Sequence, residues 1–416
     1  MISSLGRNDN VDERVGDYGM VIMDECHHAG AYTFENVLWK VKAKYVYGLT
    51  ATPMREDGHE KIMFMQLGEV RYRLTEKERN IMLDFRHEIC PRFTAFAPIT
   101  QSKPTINDLY KLLICDKNRN KMIVEDILEA VNKGRTPLVL TKFKEHAEML
   151  FKSVQEKQIR VLLLMGGGTS KEREARQDDL NNIADGDRVV IIATGKYIGE
   201  GFNFPRLDTL FLTMPISWKG NIAQYAGRLH RDFAGKENVV IYDYVDIHVK
   251  MLENMYQKRL KAYASMGYTI FAPTGDSGQN IIYTVKDYQE VFWKDIREAE
   301  KSVCISSPRL SRQRVLEFKK RLIECNRTQT EFIVWTLPND DYAEHQRKGI
   351  EFMKKTLKDI GINIWERDNL NCRFAIIDND LVWYGNMNFL SREHDENILM
   401  RLRSEEIVRE LLSIVK

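Results

Sequence analysis

The chain has 416 residues, 43% apolar and 29% charged, a balance that fits a globular protein with sizeable cores and excludes a disordered one. Its net charge of +2 gives no global nucleic-acid signal, and no apolar run reaches the roughly 18 residues of a membrane span. The amino terminus lacks the basic start and apolar core of a signal peptide, which points to a cytoplasmic protein, and six cysteines without a C-x-x-C pair argue against a zinc ribbon or a disulfide framework.

Residues 18–52 read as strand, loop, helix and strand. VIMDE is apolar and ends in acids, FENVLWKV has helical spacing, and KYVYGLTAT is a second buried run. Residues 55–105 mix short alternating pieces, such as EVRYRL and HEICPRFTAF, with no dominant period. From residue 106 an α/β rhythm takes over. NRNKMIVEDILEAVNKG is an amphipathic helix stopped by Gly134, PLVLT a strand, KEHAEMLFKSVQEK a helix, and VLLLM, RVVIIAT and TLFLTM further strands. Alternation of this kind implies a mostly parallel sheet. Tyr268–Gln279, rich in Gly, Pro, Ser and Asp, marks a boundary. The last unit starts with the helix KDYQEVFWKDIREAEK and the strand SVCISS, followed by EFIVWT, INIWER, RFAIID and LVWYG.

Four short stretches carry chemistry. Asp24 and Glu25 stand at the end of a buried strand, where an Asp can hold Mg²⁺ through water and a Glu can polarise an attacking water. Gly48-Leu49-Thr50-Ala51-Thr52-Pro53 places hydroxyls at the end of the next parallel strand, within reach of His27 or His28. The run from Ala193 to Pro205, with Gly199, Gly201 and Asn203, allows close backbone approach at a strand's carboxyl end. Gln224-Tyr225-Ala226-Gly227-Arg228-Leu229-His230-Arg231 puts Arg228 and Arg231 three residues apart on one expected helix face, suited to gripping phosphate oxygens. A zinc reading of Cys26, His27 and His28 is weaker, because adjacent residues converge poorly on one ion.

Together and in this order, the four stretches resemble motifs II, III, V and VI of superfamily 2 helicases of the DEAD/DEAH-box kind, with a likeness to restriction-enzyme and repair-type translocases. The resemblance covers roughly residues 1–265. It implies two RecA-like domains that clamp ATP between them and step along nucleic acid. It makes Asp24 and Glu25 the Mg²⁺ and water residues, Thr50 and Thr52 the coupling hydroxyls, Gly199, Gly201, Asn203, Gln224 and Gly227 ATP-binding or coupling positions, and Arg228 and Arg231 the arginine fingers. Asn203 stands where many relatives carry Asp.

No G-x-x-x-x-G-K-[ST] occurs in the sequence, and Gly166-Gly167-Gly168-Thr169-Ser170 reads as a surface turn. The first RecA-like domain is therefore expected to be incomplete, with Met1–Leu5 the end of the strand before motif II and apolar surface exposed on residues 1–55. A separate polypeptide carrying the Walker A half-domain is the implied partner, alongside nucleic acid, taken as DNA. The last unit is similar to the phospholipase D-like family, whose signature is H-x-K-x-x-x-x-D followed by G-S-x-N. Asn371 replaces the nucleophilic His and Arg373 the Lys, while Asp378 and Asn388 persist and Asn386 stands at the Ser position. An amide cannot attack phosphorus, so a nuclease is disfavoured, although Arg373, Asn386 and Asn388 retain groups able to bind phosphate.

The expected fold is α/β. It comprises an incomplete RecA-like domain over residues 1–105, a second RecA-like domain over 106–272, and a phospholipase D-like α/β domain over 273–416. The expected function is ATP-dependent DNA unwinding or translocation with Mg²⁺, in a restriction or defence setting. The alternative is a non-catalytic nucleic-acid-binding or scaffold protein. Trp293, Trp335, Trp365 and Trp383 are expected in cores, and Arg309–Arg314 reads equally as a backbone-tracking cluster or a solvated helix start.

Overall fold

The computed structural model describes residues 6–7, 10–11, 17–24, 26, 37–50, 60–74, 78, 85–99, 104–166, 178–180, 182–184, 186–195, 204–216, 225–231, 233, 235–271, 281–325 and 330–415. The chain divides into two compact units, Met1–Thr75 and Glu76–Lys416.

In the first unit, β1 (Gly6–Arg7) and β2 (Asn10–Val11) pair antiparallel. Strands β3 (Met20–Met23) and β4 (Tyr45–Gly48) pair in parallel, with Met20 opposite Tyr45 and Met23 opposite Gly48. Helix α1 (Glu60–Leu67) contributes Met63 to a small core with Met23 and Cys26. Close packing explains Gly48: a Cβ there would meet Leu67 Cδ1 at 2.7 Å and Cys26 Sγ at 2.8 Å. Parallel strands normally bury both faces, yet Tyr18, Met20, Ile22, Tyr45 and Tyr47 are between 46% and 61% exposed. Apolar surface is present on residues 1–55, as the sequence reading expects.

The second unit holds two seven-stranded sheets. The first is built from β5 (Arg86–Phe93), β6 (Pro137–Thr141), β7 (Arg160–Leu164), β8 (Val189–Thr194), β9 (Thr209–Leu212), β10 (Asn238–Val245) and β11 (Thr269–Ile270). Its order is β11-β5-β10-β9-β6-β8-β7, and every neighbouring pair is parallel. Strands β6, β8 and β9 are buried throughout, the pattern of a sheet covered on both faces. Helices α2 (Ile106–Cys115), α3 (Lys117–Asn132), α4 (Lys144–Gln155) and α5 (Lys250–Met266) accompany it. Helix α2 opens with a capping box: Thr105 accepts from the Asp108 N–H, and Asp108 accepts from that of Thr105.

One expectation changes here. The sequence places residues 1–105 in the first RecA-like domain, but Arg86–Phe93 is a strand of this parallel sheet, paired in register with all of β10. Pro91 is tolerated because β11 accompanies β5 only at Glu88 and Ile89, so the missing N–H falls beyond that ladder.

The other sheet has the order β12-β18-β17-β16-β13-β14-β15. It comprises β12 (Ile281–Thr284), β13 (Ser302–Ser306), β14 (Glu331–Thr336), β15 (Asn363–Glu366), β16 (Arg373–Ile377), β17 (Leu381–Gly385) and β18 (Ile398–Arg403). The β13–β14–β15 run is parallel and the remaining pairs are antiparallel. Its helices are α6 (Tyr288–Glu298), α7 (Arg312–Glu324), α8 (Glu344–Lys358) and α9 (Glu405–Val415). Trp383 and Trp293 are buried as expected, with the Trp383 indole donating to Asp295 at 2.8 Å. Trp365 is not: it lies on edge strand β15 and is 54% exposed, its ring 5.5 Å from that of half-buried Trp335. An edge strand has a neighbour on one side only, so its side chains lack cover on the other.

Candidate nucleotide and nucleic-acid site

In the first unit, Asp24 follows β3 and Thr50 follows Leu49 at the end of β4. The Leu49 N–H donates to Met23 O at 2.8 Å and the Cys26 N–H to Leu49 O at 3.0 Å. These bonds bring the two strand ends side by side, so Asp24 and Thr50 share one carboxyl edge. Asp24 is exposed there, and a carboxylate is the kind of hard oxygen donor that Mg²⁺ takes. Cys26 is buried with its thiol 3.6 Å from Met63 Sδ, a packing role. Glu25, His27, His28 and Thr52 lie outside the described residues.

In the second unit, β8 delivers Thr194 and Gly195 to the carboxyl edge of the parallel sheet. A Cβ on Gly195 would lie 2.6 Å from the Tyr225 hydroxyl oxygen, so the start of the glycine-bearing run abuts the QYAGRLHR segment. Burial raises the Tyr225 pKa. Ala226 and Leu229 are fully buried and anchor this segment in the core. Gly199, Gly201, Asn203 and Gln224 fall outside the described residues, as do Trp218, Lys219 and Gly220. Gly227, Arg228 and Arg231 are described and half-buried.

The expected helix face is not what carries the two arginines. Tyr225 and Ala226 are helical, residues 227–229 form a turn, and Arg231 lies past it. The bonds there run from Arg228 N to Tyr225 O and from Leu229 N to Ala226 O, each spanning three residues. A further residue escaped the sequence reading. Lys236 Nζ donates to Pro205 O at 2.8 Å, Leu229 O at 2.9 Å and Arg231 O at 2.7 Å, tying the end of one motif to the end of the other. His230, also buried, makes a 2.8 Å bond through Nε2 to the Tyr268 hydroxyl, with His87 of β5 edge-on at 4.5 Å.

Two buried ion pairs hold the surrounding strand ends. Arg119 on α3 meets Asp246 at 2.8 Å and donates to Thr213 O, and Thr94 Oγ1 donates to Asp246 at 2.6 Å. The ends of β5, β9 and β10 are thereby fixed together. Arg259 on α5 grips Asp243 through two nitrogens, at 2.7 and 2.8 Å, and donates to Ile216 O just before the QYAGRLHR region. Each charge is fully paired, as burial demands.

In the last sheet, Arg373 opens β16 opposite Gly385, with Asn371 before it and Asn386 and Asn388 after β17, all at one edge. The two amides are engaged by the backbone: Asn386 Oδ1 accepts from Ile398 N at 2.7 Å and Asn388 Oδ1 from Arg309 N at 3.4 Å. Asp378 sits at the opposite end of β16. Its carboxylate accepts from the N–H groups of Glu300, Lys301 and Ser302, which together outweigh partial burial and hold its pKa low. Asp378 is a structural clamp, remote from the other four.

Two parts of the chain match known families. Residues 119–233 match the family described as Helicase conserved C-terminal domain, and residues 1–55 match Type III restriction enzyme, res subunit. These two stretches are thus similar to helicase and restriction-enzyme families. A protein of Acanthamoeba polyphaga mimivirus, named a putative ATP-dependent RNA helicase, is 25% identical over 279 residues, covering 65% of this chain and 51% of that protein. A putative helicase of Invertebrate iridescent virus 6 is 30% identical over 263 residues, covering 60% of this chain and 56% of its own. The chain thus spans about half the length of these relatives. Among solved structures, S. cerevisiae Dbp5 bound to RNA and ADP BeF3 aligns over 64% of this chain and 61% of that one at 14% identity, with a TM-score of 0.43. No helix among the described residues is long and apolar enough to cross a membrane.

Proposed function

We propose that this chain is the motif II-to-VI part of an ATP-driven nucleic-acid motor, followed by a phospholipase D-like domain that does not cleave. The observation that carries the reading is the carboxyl edge of the parallel sheet, where Gly195 abuts Tyr225 and Lys236 joins the ends of both motifs. Backbone approach there, with Arg228 on the adjoining turn and Arg231 just past it, is what a site for phosphate oxygens requires. Asp24 would hold the Mg²⁺, which when bound neutralises developing phosphate charge. Glu25 would orient the attacking water, Thr50 and Thr52 would couple that site to motion, and Gly199, Gly201, Asn203, Gln224 and Gly227 would contact the nucleotide.

The phosphate-cradling loop is assigned to a polypeptide segment outside these 416 residues, and the apolar surface around β3 and β4 supports such a docking. DNA is the proposed substrate by the likeness to restriction-type translocases, whereas the mimivirus relative is named for RNA. In the last domain Asn371 supplies no nucleophile and Asp378 serves the backbone, which supports a non-hydrolytic role.

ATP hydrolysis measured with and without a Walker A-bearing segment, on DNA and on RNA, tests the reading. Stimulated turnover that vanishes in Asp24→Ala is expected. Turnover that stays at background with every such segment and both nucleic acids would overturn it.

A further inference from the structure

We propose that the outer face of α7 and α8 is a binding surface for the phosphate backbone of nucleic acid, separate from the motor motifs. This deepens the functional reading and rests on the protein engaging nucleic acid at all. Residues 275–416 are nearly neutral, with 23 Lys/Arg against 24 Asp/Glu. Within them, α7 and α8 hold ten Lys/Arg against four Asp/Glu, leaving 13 against 20 elsewhere. The positive charge is gathered on two helices.

Those helices lie side by side. They follow β13 and β14 in a parallel run, and the Arg312 guanidinium stacks over the Phe352 ring at 5.6 Å. Some of the cations serve the fold. Arg314 is paired with Glu317 and Glu393, Arg321 with Glu317, and buried Lys354 with Glu366. Arg347 faces Asp340 at 3.4 Å. Arg312, Lys320, Lys348 and Lys355 are exposed, and none has a carboxylate within 4.0 Å among the described residues.

Spacing aligns these four. Arg312, Leu316 and Lys320 recur every four residues on α7, and Lys348, Phe352 and Lys355 fall on one stripe of α8. The thirteen residues of α7 make a stripe roughly 20 Å long, enough for several phosphates of one strand at about 3.4 Å each. Phe352 and Leu316 are 49% and 43% exposed between the cations, and Phe352 offers a flat face to a base. Glu324 is the next residue of the α7 row and closes it, while Glu351 sits between Lys348 and Lys355 on α8, so the two lysines flank a single carboxylate there. Arg309, stacked on Tyr342 at 4.8 Å, extends the positive charge toward Asn388 and the edge that carries Arg373.

Fluorescence anisotropy of the 416-residue chain on labelled single-stranded DNA, single-stranded RNA and duplex DNA, from about 50 to about 200 mM salt, tests this. The probe variant combines Arg312→Gln, Lys320→Gln, Lys348→Gln and Lys355→Gln. A companion carries Arg312→Lys, Lys320→Arg, Lys348→Arg and Lys355→Arg. The Gln variant should lose at least tenfold in affinity, and its log–log salt slope should fall by about 2 to 4, at roughly 0.7–0.9 per phosphate contact. The charge-conserving companion should match the wild type, and both should keep the wild-type circular dichroism. A wild-type slope in the Gln variant overturns the surface while leaving the motor reading intact. A wild-type chain that binds no nucleic acid at low salt overturns both. Retention by anionic vesicles that outcompete the oligonucleotides assigns the face to a membrane and refutes the proposal.

Discussion

Acidification should weaken the parallel-sheet half of the second unit through one residue, His146. Its ring is fully buried at the start of α4, with Nε2 3.0 Å from Asn120 Oδ1 and Nδ1 2.9 Å from Thr141 Oγ1. The amide oxygen only accepts, so Nε2 carries the proton and Nδ1 receives the Thr141 hydroxyl. A second proton would have to enter a buried ring near Arg119. Burial first, and that guanidinium second, lower the pKa from 6.5 to about 3. The folded value lies below the unfolded one, so the unfolded chain binds the extra proton between pH 6.5 and about 3. Stability is therefore complete above pH 6.5 and declines on acidification through that window, by about 1.4 kcal/mol per pH unit. At pH 5 the loss from His146 alone amounts to about 2 kcal/mol relative to neutral pH. Urea unfolding followed by circular dichroism, on the wild type and His146→Gln, isolates the effect. The variant keeps an amide in place of the imidazole and does not titrate, so its profile should be flatter by about 2 kcal/mol between neutral pH and pH 5. Parallel profiles for the two proteins would refute the reasoning.

Asp246→Asn leaves Arg119 charged and buried without its counter-ion, and should cost about 3–5 kcal/mol in urea unfolding; the double variant Arg119→Met with Asp246→Leu should recover most of it. Asp378→Ala removes the acceptor for three backbone N–H groups and should cost about 1–3 kcal/mol, with nucleic-acid affinity unchanged in the anisotropy assay. Because its carboxyl pKa is lowered in the fold, the Asp378 contribution is present at neutral pH and fades as pH falls through the carboxylate range; Asp378→Ala should show no such fading.

Much of this architecture is visible in local sequence. PLVLT, VVIIAT and TLFL are continuous apolar runs because both faces of their strands are covered, and each is a buried strand of the parallel sheet. Strand β5 evaded the same reading because RHEICPRF contains His87, Glu88 and Pro91, whose places depend on partners far along the chain. Glu88 receives the Asn238 amide, and His87 meets His230 edge-on. The arginine geometry of QYAGRLHR was misjudged for a related reason: Lys236, several residues later, takes up the carbonyls of Leu229 and Arg231 that a continuing helix would have used. The pairs Arg119–Asp246 and Arg259–Asp243 have no local signature at all, since only the sheet brings their partners together. In the first unit Asp24 and Thr50 were legible from strand spacing, because parallel neighbours end together.

Helix α5 joins β10 to β11 of the parallel sheet, yet it also serves the last one. Tyr256 packs against both Phe93 and Tyr384, Glu253 accepts the Tyr384 hydroxyl at 3.1 Å, and Arg92 of β5 reaches Glu406 of α9 at 2.9 Å. A protease cut between Phe271 and Ile281 would sever the chain without parting the pieces. For the same reason the last sheet is no interchangeable cassette: a lineage that acquired, lost or exchanged it would have had to rebuild α5 and the outer side of β5 in the same event.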